Sequence, residues 1–206
     1  MSDVNPSAGA PALELPPLPL ARQRFAVVDV ETSGLSVKRH KVLQLAVVTM
    51  LGDGTVVDRW CTDVRALRVG PRRIHGITRR RAWRAPSFAL VAPELVKRLD
   101  GTVVVAHHAR FDWAFLGRAL RRAGVEAPPS GQLCTLQLSR SLDPDRQRRH
   151  GLSDLCQRYG VARGQQHDAL ADAEATARVL PLLLADAGIV DGATLQAHLR
   201  PPAPDG

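Results

Sequence analysis

Apolar runs with regular turn residues between them divide this chain into strands and helices. The continuous or alternating runs predict five strands, over residues 25–30, 42–51, 54–61 and 102–106 and near 132–138. Gly52-Asp53-Gly54 separates the second strand from the third, and this turn signal predicts an antiparallel hairpin. Residues 62–85 are basic and lack either period, so we expect an irregular segment there.

Helical periodicity predicts helices from residue 87 onward. Apolar residues recur at helical spacing over 87–99, and further helices are predicted over 111–123, ended by Gly124, and near 152–159. A last long helix begins close to Asp168, and Pro181 is expected to kink it or to start a new segment, because proline cannot donate a backbone hydrogen bond.

This order of elements predicts one α/β domain. It would contain a mixed sheet of about five strands, the first three antiparallel, flanked by helices. With 206 residues, 45% of them hydrophobic, the chain can bury one substantial core. We expect a flexible Pro/Ala-rich leader over 1–22, the domain over 23–187 and a C-terminal tail over 188–206.

Charge and cysteine content narrow the class of partner. The chain has 28 Lys and Arg against 20 Asp and Glu, a net charge of +8, which suits a polyanionic substrate such as nucleic acid but also fits an arginine-rich coding bias. Three widely spaced cysteines predict neither a disulfide framework nor a zinc module. No apolar run approaches the ~20 residues that cross a bilayer, and no signal peptide precedes the domain, so we expect a cytoplasmic protein without a membrane partner.

Two carboxylates at the end of the first strand carry the strongest chemical signal. Asp29 and Glu31 are two residues apart after an apolar run, so their side chains emerge on the same side of the strand. Like charges this close repel each other, whereas a divalent cation between them removes the repulsion. The pair therefore predicts a metal site.

Two more acids are candidates for the same site. Asp112 falls in the first turn of a helix that follows a buried strand, although an acid there is also an ordinary partner of the helix dipole. Asp172 lies among small residues that allow a helix to approach the sheet closely. Asp168, four residues earlier, could form a metal pair with Asp172 or cap the helix, and Glu174 points to roughly the opposite side.

Taken in order, these motifs resemble the DnaQ-like, DEDDh-type family of 3′–5′ exonucleases, which includes the proofreading subunits of bacterial replicative polymerases. The resemblance covers about residues 24 to 187. It is carried by the motifs Asp29-Val-Glu31-Thr-Ser-Gly-Leu35, Ile74-His-Gly-Ile-Thr78, Ala106-His-His-Ala-Arg-Phe-Asp112 and His167-Asp-Ala-Leu-Ala-Asp172.

The resemblance implies a ribonuclease-H-like sheet and two Mg²⁺ or Mn²⁺ ions in each active site. Asp29 would bridge both ions, Glu31 and Asp172 would hold one, Asp112 would support the other, and His167 would be the general base. The expected substrate-binding residues are Thr32, Ser33, Gly34, Leu35, His75, His107 and His108. His108 stands where relatives usually have Asn, and Cys134 where they often have Asp.

These implications predict release of nucleoside 5′-monophosphates from 3′ ends of single-stranded DNA, in proofreading or repair, with a DNA polymerase as a candidate partner. RNA trimming and a noncatalytic nucleic-acid-binding or polymerase-binding scaffold are the alternatives. Six arginines of the irregular segment are candidate phosphate contacts or a solvated face: Arg72, Arg73, Arg79, Arg80, Arg81 and Arg84. The three tryptophans, Trp60, Trp83 and Trp113, could stack on bases but are more often core or surface anchors.

Overall fold

The computed structural model describes residues 18–126 and 131–200, which form a five-stranded sheet with helices on both faces. The strands are β1 (Arg24–Thr32), β2 (Val42–Leu51), β3 (Val56–Asp63), β4 (Val103–Ala106) and β5 (Gln132–Cys134). The helices are α1 (Arg72–His75), α2 (Arg79–Arg84), α3 (Phe88–Leu99), α4 (Ala109–Arg122), α5 (Thr135–Ser141), α6 (Leu152–Arg158), α7 (Ala169–Asp186) and α8 (Gly192–Gln196).

The sheet is mixed, as the sequence predicts. Its strand order is β3-β2-β1-β4-β5, with β1, β2 and β3 antiparallel and β4 and β5 parallel to β1. The predicted hairpin joins β2 to β3, and β1 lies at the centre of the sheet. The carboxyl ends of the three parallel strands β1, β4 and β5 therefore meet at one edge, where α/β proteins commonly bind ligands.

Two apolar cores lie on opposite faces of the sheet. Phe25 and Val27 of β1 pack into the core beneath α6, α7 and α8, whereas Ala26 and Val28 pack into the core beneath α3 and α4. Both cores are closed to solvent, and the alternation follows directly from the two-residue period of a strand. Odd-numbered residues of β1 therefore face α7.

Two predicted boundaries are wrong because short apolar patterns are ambiguous. The strand expected near 132–138 ends at Cys134, and residues 135–141 form α5, where alternating leucines lie on a helix. The segment 62–85 is not irregular throughout: β3 extends to Asp63, and two short helices, α1 and α2, follow. Gly76, with a φ of 70°, ends α1, and the Thr78 hydroxyl accepts a hydrogen bond from Arg81 N–H to cap α2.

The last long helix begins as predicted, with Asp168 as its N-cap, but it does not break at proline. Helix α7 runs continuously through Pro181 to Asp186, so the expectation of a new segment is wrong. Leu180 and Leu183, on either side of Pro181, are fully buried and hold the helix on the sheet. Tertiary packing thus outweighs the missing hydrogen bond.

The predicted leader and tail lie partly outside the described residues. Of the leader, residues 18–22 are described; Leu20–Arg22 form a short 3-10 helix, and Pro19 pairs with Asp191. This short stretch therefore contacts the segment before α8, while the flexible leader over 1–22 stays a prediction. Of the tail, Leu195 and Leu199 pack into the α7-side core, so the packed unit extends beyond residue 187. Within the described part, no helix has the length and hydropathy required to cross a membrane.

Candidate active site

Four acids reach one edge of the sheet from three different elements. Asp29 and Glu31 lie on β1 and, like Val27, belong to the odd-numbered set that faces α7. Asp172 lies in the first turn of α7, and Asp112 lies in the first turn of α4, on the other face of the sheet. Glu31, Asp112 and Asp172 are all buried, with exposed fractions of 8%, 7% and 6%.

The electrostatics of this site show that the four carboxyl groups act on one another. Burial raises the pKa of Asp29 well above its usual value, and the carboxylates of Asp112, Asp172 and Glu31 raise it further. Burial and the nearby acids raise the pKa of Glu31 to about 7. Burial likewise raises the pKa of Asp112 to about 7, against hydrogen bonds from backbone N–H groups. A site with this much uncompensated acid favours a bound cation.

His167 completes the cluster. One carboxylate oxygen of Glu31, one of Asp172 and a ring nitrogen of His167 all lie within 4.8 Å of one another. The His167 side chain is exposed, and its backbone N–H donates a hydrogen bond to Asp172 Oδ2 at 3.2 Å. Its φ of 60° is unusual for a residue other than glycine, and it directly precedes the cap of α7. The structure therefore brings the predicted base beside two of the predicted metal ligands.

Arg163 is a functional candidate that the sequence analysis missed. Its guanidinium donates to Asp172 Oδ1 from Nη2 at 2.8 Å and from Nε at 3.2 Å, and Nη1 contacts the Ser153 hydroxyl. This cation lowers the pKa of Asp29, although burial and the three other carboxyl groups outweigh it. Arg163 thus stands beside Asp172 as a positively charged group in the acidic cluster.

The first turn of α7 is held in place by two polar residues. Asp168 Oδ1 accepts a hydrogen bond from Ala171 N–H, so this acid caps the helix, and its carboxylate is not in the cluster formed by Asp172. Gln44, a buried residue of β2, accepts a hydrogen bond from Ala169 N–H at 3.0 Å. Glu174 forms an ion pair with Arg59 at 2.7 Å, away from the cluster. Asp172 is therefore the acid of α7 that enters the site.

The loop after β1 carries the four predicted substrate-binding residues of the first motif. The Ser33 hydroxyl is buried and accepts a hydrogen bond from Lys41 N–H, and the Thr32 hydroxyl donates to the Gly34 carbonyl oxygen. The Leu35 side chain is 83% exposed, which leaves an apolar group free to contact a ligand. The loop closes on itself through Ser33 and Lys41 and is ready to present Gly34 and Leu35.

The three other predicted contacts separate into different roles. His75 is buried, its Nε2 lies 2.8 Å from the Val69 carbonyl oxygen and its Nδ1 accepts from Ile77 N–H, so both ring nitrogens are engaged within its own loop. His107 Nδ1 lies 3.0 Å from the Thr135 hydroxyl, and burial lowers its pKa to about 4. His108 is exposed and stacks on Phe111.

The basic segment and the tryptophans also separate by role. Arg81 forms a bidentate pair with Asp63, at 2.5 and 2.7 Å, while the other five predicted phosphate contacts, Arg72, Arg73, Arg79, Arg80 and Arg84, are exposed without entering the acidic cluster. Trp113 is buried in the core beneath α4, and Trp60 lies beneath the Arg98 guanidinium at 4.8 Å. Trp83 is 64% exposed and is the tryptophan most accessible to a base.

The donor set of the cluster fits hard divalent cations. It consists of carboxylate oxygens with one imidazole nitrogen nearby, and oxygen ligands suit Mg²⁺ and Mn²⁺. The raised pKa values of Asp29, Glu31 and Asp112 are typical of crowded carboxyl groups whose mutual repulsion a bound cation would relieve. The residues that the sequence singled out therefore fit the metals that it implied.

A family model and several known proteins match this chain over most of its length. A family model described as an exonuclease, RNase_T, matches residues 26–180. The DNA polymerase III PolC-type protein of Bacillus cereus is 32% identical over 170 residues, which are 81% of this chain and 12% of that protein. The 3′–5′ exonuclease DinG of Bacillus subtilis is 33% identical over 159 residues, 75% of this chain and 17% of that protein. The chain thus spans less than a fifth of either relative.

Solved structures of similar fold are nucleases. Exonuclease X in complex with 5′-overhanging duplex DNA matches with 26% identity and a TM-score of 0.62, covering 81% of this chain and 93% of that one. The nuclease domain of 3′hExo, a DEDDh family member bound to rAMP, matches with a TM-score of 0.70 over 82% of this chain and 95% of that one. Its 17% identity makes this second likeness one of fold.

Proposed function

The chain belongs to the exonuclease family whose model matches residues 26–180 and is a 3′–5′ exonuclease of the DEDDh type; from this premise we propose that it removes nucleoside 5′-monophosphates one at a time from 3′ ends of single-stranded DNA. The predicted family and the ribonuclease-H-like fold are confirmed. Preference for DNA is supported by the matched segments of PolC and DinG and by the likeness to exonuclease X in its DNA complex. These relatives also support a role in proofreading or repair.

The observation that carries the proposal is the convergence of Asp29, Glu31, Asp112 and Asp172 beside an exposed histidine. A binding module gains nothing from carboxyl groups that raise one another's pKa values, because each one opposes the approach of a phosphate. A hydrolase uses the same acids to hold cations. The noncatalytic scaffold is therefore the weaker hypothesis.

The family depends on divalent metals. We assign Asp29, Glu31, Asp112 and Asp172 to hold two Mg²⁺ or Mn²⁺ ions. When bound, such ions activate water and offset the negative charge that builds up on the phosphate.

The side chains around the acids have separate tasks in hydrolysis. His167 accepts a proton from the attacking water at a ring nitrogen, the general-base role for which histidine is most often used. As the water oxygen bonds to phosphorus, the bond to the 3′ oxygen of the preceding nucleotide breaks. The products are a nucleoside 5′-monophosphate and a strand with a new 3′-hydroxyl. We expect Leu35 and His108, both exposed, to contact the terminal base, and the loop at Gly34 to contact its sugar.

The proposal is tested with 5′-labelled DNA and RNA oligonucleotides of the same sequence, each incubated with Mg²⁺, Mn²⁺ or EDTA. We expect a ladder of shortened DNA products and released nucleoside 5′-monophosphates with either metal, and none with EDTA. The variants Asp29→Asn and His167→Gln should lose activity by at least about 10²-fold while their circular dichroism spectra match the wild type. Glu174→Gln, on the same helix as Asp172 but paired with Arg59, is the matched control and should remain active.

Three outcomes would contradict parts of the proposal. Full activity in purified Asp29→Asn would remove the assigned site. Faster trimming of RNA than of DNA would make RNA the substrate in place of DNA. Binding without degradation under every metal condition would favour the noncatalytic scaffold.

A further inference from the structure

A cavity lies on the face of the sheet that carries α3 and α4. It has a volume of about 440 Å³, within the range of small-ligand sites. Its apolar wall includes Val42, Val64, Phe88 and Phe115. Four cationic side chains line it as well: Lys41, Arg65, Arg118 and Arg122. No carboxylate of the described residues lines the cavity, so its charge is entirely positive.

Arg118 is the most informative of these cations. Its Nε is fully buried and has no hydrogen-bond partner within the described chain. An unsatisfied buried N–H group destabilises a protein unless a ligand accepts from it. No ion pair joins Arg118, Arg122 or Lys41 to a carboxylate of residues 18–126 or 131–200. The cavity is therefore lined by an arginine whose Nε donor is unused, and by two cations, Arg122 and Lys41, without an ion pair among the described residues.

Two structural links connect this cavity to the active site. The first is a series of rings along α4: His108 stacks on Phe111 with centroids 5.9 Å apart, and Phe111 contacts Phe115, a wall of the cavity, at 5.0 Å. The second is the loop after β1. Lys41 lines the cavity and donates its backbone N–H to the Ser33 hydroxyl on the side of the loop that enters the active site.

We propose that this cavity, the arginine cavity, binds an unpaired nucleotide of the substrate strand. The inference rests on the proposed function. Since the reacting nucleotide is the 3′-terminal one, any second nucleotide site on this path must hold a nucleotide on its 5′ side. Phosphate oxygens would accept from Arg118 and be neutralised by Arg122 and Lys41, and the base would lie against Phe88 and Phe115. The arginine cavity therefore favours single strands over duplexes, whose bases are already stacked.

The test compares binding of oligothymidylates from about two to about ten nucleotides long, in EDTA, by fluorescence anisotropy. For the wild type we expect affinity to rise in a step at the length that first reaches the arginine cavity. In Arg118→Gln that step should disappear, and Kd for the longer strands should rise about tenfold. Each removed cation should also lower the salt dependence of log K by about 0.7.

The matched control is Arg24→Gln, which removes the same charge from an exposed residue at the amino end of β1, opposite the active site. Arg122→Gln repeats the test at an exposed residue, in case loss of the partly buried Arg118 disturbs folding. A minimal substrate, the p-nitrophenyl ester of thymidine 5′-monophosphate, is too short to reach the arginine cavity. The two cavity variants should hydrolyse it at the wild-type rate while showing a raised KM on long DNA.

The outcomes separate this inference from the proposed function. If the minimal ester and long DNA are both hydrolysed normally by Arg118→Gln and Arg122→Gln, the arginine cavity does not bind the strand although the nuclease function holds. If Arg24→Gln weakens binding as much as the two variants do, the effect is general charge and the inference is overturned. If no enzyme form hydrolyses any substrate, the proposed function fails, while the length-dependent binding step still tests the cavity.

Discussion

Replacing Glu31 with Gln should make the metal-free protein more stable, in a way that depends on pH. The substitution keeps the shape of the side chain and removes its charge. Glu31 is buried, and its pKa rises from 4.5 to about 7 because of burial and of the carboxylates of Asp172, Asp168 and Asp112. The carboxylate therefore opposes folding whenever it is ionised.

The sign and the size follow from this shift. One pKa unit corresponds to about 1.4 kcal/mol, so a rise from 4.5 to about 7 destabilises the folded protein by about 3 kcal/mol at pH values above the folded pKa. The destabilisation is absent below the unfolded pKa, grows as the pH rises between the two values, and is complete above the folded one. At about pH 8 the free energy of unfolding of the variant should exceed that of the wild type by about 3 kcal/mol, and at about pH 5 by about 1 kcal/mol or less.

Urea unfolding in EDTA at these two pH values, followed by tryptophan fluorescence, measures the difference. Trp113 is buried in the core beneath α4, so its fluorescence reports when that core becomes exposed to solvent. Adding Mg²⁺ at about a hundredfold excess over Kd should stabilise the wild type by about 3 kcal/mol and the variant by much less, because the variant has lost a ligand. The difference between the two proteins should therefore shrink or reverse with metal.

The matched control is again Glu174→Gln, which removes a carboxylate paired with Arg59 at the surface. It should change the free energy of unfolding by less than about 1 kcal/mol at both pH values. The reasoning is refuted if Glu31→Gln and the wild type unfold at the same urea concentration at about pH 8 in EDTA, or if the gain is the same at both pH values.

Two other substitutions test contacts around the site. Arg163→Gln removes the guanidinium that contacts Asp172, so the Kd for Mn²⁺ measured by calorimetry should fall by about fivefold or more. The free energy of unfolding in EDTA should fall by about 3 kcal/mol, because Asp172 loses its partner. An unchanged Kd would show that Arg163 does not compete with the ion. Gly70→Ala should destabilise the protein by about 2 kcal/mol or more and raise KM, because a Cβ at this left-handed residue would overlap the Ser33 carbonyl oxygen. Gly76→Ala is the control: its φ is similar, but no atom lies within 4 Å of the added Cβ, so only the smaller backbone effect should remain.

Elements with strong periodicity and local punctuation were predictable from the sequence. The hairpin around Asp53, helix α3 and the start of α7 at Asp168 match the prediction because a turn, a repeat or a cap identifies each one locally. Residues 135–138 are helical and not part of the predicted strand, because Leu-x-Leu suits either period over so short a stretch. Pro181 was misjudged because burial of its neighbours, which the sequence does not report, keeps the helix intact.

Residues of the candidate site were likewise predictable where a local motif identifies them, and were missed where none does. Asp29, Glu31, Asp112, Asp172 and His167 are recognisable because each belongs to a short motif. Gln44 and Arg163 were missed, since Gln44 contacts a residue 125 positions away and a lone arginine in a polar loop carries no signal. His75 shows what a motif does not report: the hydrogen bonds of its two ring nitrogens within its own loop.

The acids of this site are divided between the two layers of helices that cover the sheet. Asp172 depends on α7, Asp112 on α4, and both meet the acids at the carboxyl end of β1, the central strand. Detachment of either layer therefore dismantles the site, even if the other layer and the strands persist. Heat inactivation should consequently coincide with cooperative melting of the whole domain, and neither half of the chain could retain a working remnant when the domain is cut between α4 and α7.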